Sequence, residues 1–127
     1  MQIQIEDIIS PRDGRAFDVK KYDLIVFSGR IGMVIGNSAL ENVFGLINIE
    51  CKPNGSFKKG AGLTIGFLDP SADFPPGSVT SEPDRMEATM FLSHHQMSTV
   101  STLLRSGGAR VSINTGGADA CAIIFNS

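Results

Sequence analysis

The chain contains no tryptophan and a single tyrosine among 127 residues. Proteins that grip sugars or single-stranded nucleic acid commonly do so on stacked aromatic rings, and that platform is poorly supplied here. Phe27, Phe44, Phe91 and Phe125 fall inside strand-like runs and read as core. Basic residues are also few. Eleven Lys and Arg against 13 Asp and Glu give a formal charge of −2, which disfavours a polyanionic partner, because phosphate neutralisation supplies much of nucleic-acid affinity. Only residues 52–59 are locally basic, and they read as a solvated hairpin tip.

Cysteine is scarce as well. Cys51 and Cys121 have neither C-x-x-C nor zinc-ligand spacing, so they exclude a disulfide framework and read as two buried thiols. No apolar run approaches the roughly 20 residues of a membrane span. The opening MQIQIEDII lacks the basic and long apolar regions of a secretory leader. A cytoplasmic, reduced protein with no membrane partner is the expectation. Fourteen glycines are present, yet neither Gly29-Arg30-Ile31-Gly32 nor Gly60-Ala61-Gly62 has phosphate-loop spacing or a following helix. They read as turns and bulges.

The composition is that of an ordinary globular chain, 42% apolar and 19% charged, and its length predicts one domain over 1–127. One helix stands out, over 92–108. Ser93 is its N-cap, with Gln96 placed to complete a capping box and Leu92 and Met97 to form a hydrophobic staple. Met97, Val100, Leu103 and Leu104 share a stripe, and Gly107 or Gly108 ends the helix in the left-handed conformation.

Strands surround it. Residues 2–9 open in alternation, 10–14 turn, and YDLIVFS at 22–28 is apolar on both faces, which predicts a central strand. Gly29-Arg30 reads either as a tight turn or as a bulge in one long strand. Asn54-Gly55 predicts a hairpin in which Pro53 faces Ser56, Glu50 faces Lys59, Leu46 faces Leu63, and Phe44 faces Ile65. Residues 85–92 alternate again. Gly116-Gly117 predicts a last hairpin, pairing Val111 with Ala122 and Ile113 with Ala120, and setting Cys121, Ile123 and Phe125 beside Arg110 and Ser112. That second face is half apolar and is expected to lie under the helix or against a partner chain. The whole predicts a mainly β fold: an antiparallel β-sandwich or open curled barrel of about eight strands, with one short amphipathic helix before the C-terminal hairpin.

Chemistry-bearing residues are sparse. His94 and His95 begin the helix on faces about 100° apart, unsuited to sharing one ion, and no nucleophile motif accompanies them. Residues 69–84 carry four prolines and the acids Asp69, Asp73, Glu82 and Asp84. Their spacing matches no EF-hand, so they read as a solvated loop in which Phe74 could anchor on a partner. No metal or cofactor is expected. The sequence therefore predicts a non-catalytic interaction module that binds protein, its own copies included, through a sheet edge. The alternative is a small hydrolase with His94 or His95 as general base beside the 69–84 loop.

Overall fold

The structure, a computed structural model, describes residues 4–6, 15–113 and 122–126. Its two longest strands follow from the β-branched and apolar residues of 16–51. β1 (Ala16–Ile35) and β2 (Ser38–Cys51) form an antiparallel hairpin. The turn falls at Gly36-Asn37, where Gly36 takes φ 61°. Gly29-Arg30 is thus no turn. The ladder instead steps from Val26–Gly45 to Ile31–Val43, five residues of β1 against two of β2, a wide irregularity within one long strand.

β3 (Ala61–Leu68), β4 (Ser78–Ser81) and β5 (Met86–Ser93) follow, then a 3₁₀ turn (His94–Gln96), α1 (Met97–Arg105), β6 (Ala109–Ile113) and β7 (Ala122–Asn126). Among the described residues seven strands, against about eight expected over the whole chain, make one sheet ordered β4-β5-β3-β2-β1-β6-β7. It is not wholly antiparallel, because β3 and β5 run parallel. Residues 69–85 are long enough for the crossover that a parallel pair requires, and they contribute β4, an edge strand within the stretch expected to be loop.

The β2–β3 hairpin exists, with a different register from the one expected. Its turn closes between Asn54 and Phe57, with paired N–H···O bonds of 3.2 and 3.0 Å around Gly55-Ser56. Gly60, at φ 76°, then inserts a further residue. Glu50 consequently faces Gly62, Ile49 faces Leu63 and Ile47 faces Ile65. An odd slip exchanges the faces of a strand. Here it gathers Ile47, Ile49, Cys51, Leu63, Ile65 and Phe67 on one side. Gly62 and Gly66 fall on the other. The last hairpin slips by two, Val111 meeting Ile124 and Ile113 meeting Ala122, so its faces are kept. Arg110 lies opposite Phe125, its guanidinium 5.8 Å from the ring centroid, and Ser112 lies opposite Ile123. The turn at Gly116-Gly117 and Cys121 lie outside the described residues, as does the run 2–9 expected to alternate, except Gln4–Glu6, where Ile5 and Glu6 are helical instead of extended.

Two hydrophobic clusters occupy opposite faces. The larger joins Phe17, the β2 and β3 residues above, Met86, Ala88, Val111, Ile113 and Ala122 to Val100 and Leu104 of α1. The helix therefore rests on the Val111–Ile113 face of the last hairpin, opposite the half-apolar face expected to lie beneath it. The smaller cluster holds Ile35, Leu40, Val43, Leu68 and Phe91, with Phe27 and Met33 packed against it. It forms because the bulge lets the tip of the β1–β2 hairpin fold back over the second face. Ile35 Cδ1 then lies 2.8 Å from where a Cβ on Gly66 would stand, room that only glycine leaves.

Candidate functional site

β1 is fifth in the order of the seven-stranded sheet, yet it is flanked on both sides for only a few residues. β6 pairs with Ala16, Phe17 and Asp18 alone. Beyond them β1 outruns β6, which begins at Ala109 just after the turn at Gly107-Gly108 that leads out of α1. A groove of about 340 Å³ opens at the fork, between Val19–Tyr22 of β1 and Leu104 and Gly107–Ala109. From Lys21 onward β1 pairs with β2 on one side. Its other side has no strand partner among the described residues.

That open edge is apolar. Of the seven large hydrophobic side chains exposed among the described residues, five belong to β1: Leu24 (38%), Ile25 (42%), Val26 (63%), Ile31 (42%) and Val34 (67%). Leu24 aligns with Ile47, Ile65 and Met90, and Val26 with Gly45, Phe67 and Leu92, in rows that lead into the larger core. Ile25 aligns with Leu46, Gly66 and Phe91 on the opposite face. The edge is thus the raw end of a packed sheet: the Leu24 and Val26 rows on one face and the single Ile25 row on the other stop at solvent, the latter beside the polar rows headed by Lys21 and Asp23. An unpaired row of backbone donors and acceptors flanked by such side chains is a ready template for another strand. The sequence signalled the apolar faces. It did not signal that one neighbour would be missing, because side-chain pattern reports faces and is silent on edges.

The histidines and loop acids are arranged differently. Ser93 caps the helical segment through its hydroxyl, which accepts the His95 N–H at 3.2 Å. The first turn is 3₁₀, and α1 proper begins at Met97. His94 is half-buried between Phe44, 4.5 Å away by ring centroids, and His95, 4.3 Å away. Asp69 accepts the N–H and Oγ–H of Ser71 at 2.9 and 2.8 Å. Those two bonds, and lesser attraction from His94 and Arg30, hold its carboxyl below the usual range. Asp73 borders an open groove of about 590 Å³ beside Arg30 and Glu41. Asp84 lies 3.6 Å from Lys59, and the Glu82 N–H donates to Arg85 O. Phe74 is exposed. Among the described residues no hydrogen bond joins an imidazole to a loop acid, and no three His, Cys, Asp or Glu gather as a metal would need.

One polar cluster escaped the sequence reading. Arg85 lies over Gly62 and grips Glu50 with two bonds, Nη1–Oε1 at 2.8 Å and Nη2–Oε2 at 2.9 Å. Its Nε donates to Glu87 at 2.6 Å and its Nη1 to Lys59 O at 2.8 Å. The register explains it: Glu50, Gly62 and Glu87 stand in one row, and the missing side chain of Gly62 is the guanidinium's seat. All three guanidinium nitrogens and both Glu50 oxygens are engaged, so it is a clamp across three strands. No helix of the described residues is long and apolar enough to cross a membrane. Compared with known protein families, characterised proteins and solved structures, the chain matches none of them.

Proposed function

We propose that this chain is a non-catalytic interaction module, an open curled sheet whose β1 edge takes up an extended segment of a protein partner, its own copies included. The observation that supports this reading is the coincidence of two features in 21–26: an edge without a strand partner among the described residues, and exposed apolar side chains on both of its faces. Strand addition of this kind draws affinity from main-chain hydrogen bonds and specificity from alternate side chains.

The test places charge on each face of the edge, in an Ile25→Lys, Val26→Lys double variant. Self-association is read by light scattering, and binding by fluorescence anisotropy of a labelled Thr-Val repeat peptide that copies no part of this chain. The expected result is association or peptide binding weakened at least about tenfold, with the melting temperature nearly unchanged, since both side chains are exposed. The His94→Ala, His95→Ala double variant should associate like the parent. Wild-type protein that neither self-associates nor binds the peptide would overturn the reading, as would a lysine variant that does either undiminished.

A further inference from the structure

We propose that the segment taken up by β1 is β1 of a second copy, laid antiparallel about a two-fold axis at Leu24. This rests on the edge reading above and names its occupant.

Between Lys21 and Val26 the ladder with β2 is unbroken, and beyond Val26 it is interrupted. This is the longest unbroken stretch of that ladder and so the best template for a new strand. Its hydrogen-bonding direction follows from Gly45, where the Ile25 carbonyl oxygen lies 2.6 Å from the place a Cβ would occupy. Ile25 thus turns its carbonyl toward β2. Successive residues of an antiparallel ladder alternate in direction, so Tyr22, Leu24 and Val26 direct their N–H and C=O groups to the open side.

Symmetry narrows the choice further. A two-fold axis perpendicular to a sheet returns each face to its own side, so residues brought opposite one another must share a face. Near the centre of the stretch that leaves axes at Asp23, Leu24 or Ile25. At Asp23 two carboxylates would oppose each other, and at Ile25 Lys20 would be carried toward Arg30. Like charges directly opposite are destabilising. At Leu24 the two leucines meet, Tyr22 meets Val26, and Lys20 and Lys21 face Ser28 and Phe27 of the second copy. No like charges face each other. The Leu24 and Val26 rows that end at solvent in one copy then continue into the same rows of the other.

Cysteine cross-linking in a Cys121→Ser background tests both occupant and register; Cys51 is buried. Under mild oxidation Leu24→Cys should give a covalent dimer with itself. Tyr22→Cys should link to Val26→Cys when the two chains are mixed, with neither linking comparably to itself. Melting curves of each variant confirm that it is folded, and exposed Val26 tolerates exchange even if Leu24 does not. Folded variants that fail to cross-link in this pattern, while the lysine double variant still abolishes association, would overturn this inference and leave the edge reading standing. So would a protein that is monomeric at every concentration yet binds the Thr-Val peptide through β1. A monomer that binds no peptide overturns both.

Discussion

Arg85 shows how one residue gains its role from a residue that is not there. Any side chain at position 62 would collide with it: a Cβ would stand 2.9 Å from Arg85 Nη2 and 2.5 Å from Glu87 Oε2. The bidentate bond to Glu50 holds that carboxyl below its ordinary value of 4.5, against a smaller opposing effect of burial. A carboxylate whose pKa is depressed by folding stabilises the native state above its unfolded value, and that contribution is lost as pH falls through the folded value. Arg85→Ala should cost about 1 kcal/mol near neutral pH, the upper end for a partly exposed pair of good geometry. In denaturant titrations the difference from wild type should shrink as pH falls below 4.5. Cys51 runs the other way. Burial, reinforced by the charge of Glu50, pushes its thiol up to about 12. A thiol raised by folding keeps its proton in the native state and releases it on unfolding. Stability should therefore fall as pH rises from 9 toward 12. At pH 8, iodoacetamide should label Cys51 only after denaturation.

Among the elements, the β2–β3 hairpin is the most instructive. Its turn chemistry was legible: Asn54-Gly55 marks the reversal, and Gly55 does take φ 58°. What the pattern could not show was that Gly60 would adopt φ 76° and add one residue between turn and ladder. A short bulge leaves almost no trace in composition, and it moved every pair below it. Gly60 should thus be the less replaceable of the two. Alanine there meets both the left-handed strain and the Cys51 carbonyl, whereas at Gly55 it meets open space. Gly60→Ala should cost about 2–3 kcal/mol and Gly55→Ala about 1 kcal/mol, measured as shifts in the urea midpoint. The helix was legible for the opposite reason. Its cap, apolar stripe and terminal glycines are all local, and Ser93, Val100, Leu104 and Gly107 occupy the expected roles. Its start differs: Leu92 and Ser93 belong to β5, the first turn is wound as 3₁₀, and Ser93 caps the His95 N–H.

At the scale of the whole molecule, the mainly β class and the single short helix follow from periodicity, while the strand order does not. The parallel β3–β5 pair and the fold-back of the β1–β2 tip depend on long-range geometry that no window of sequence contains. The candidate site was legible only in outline: a sheet edge was expected, but β1 was expected to be enclosed. The two cores should also respond separately to mutation. Phe91→Ala removes the ring on which Ile35, Leu40 and Val43 gather, while the packing of Val100 and Leu104 is kept. In hydrogen exchange, amides at 33–40 should lose protection, with those of α1 unchanged.

The break in β1 between Val26 and Ile31 has a consequence for how far any assembly could grow. Fibrils elongate because each newly added strand offers the next an equally long, straight template. Here the template ends after about six residues, where the backbone swings to the other side of the sheet. The remaining outer strands are short, β4 having four residues and β7 five. A stack begun on β1 therefore has nowhere to continue, and the same kink that folds the hairpin tip home acts as a terminator.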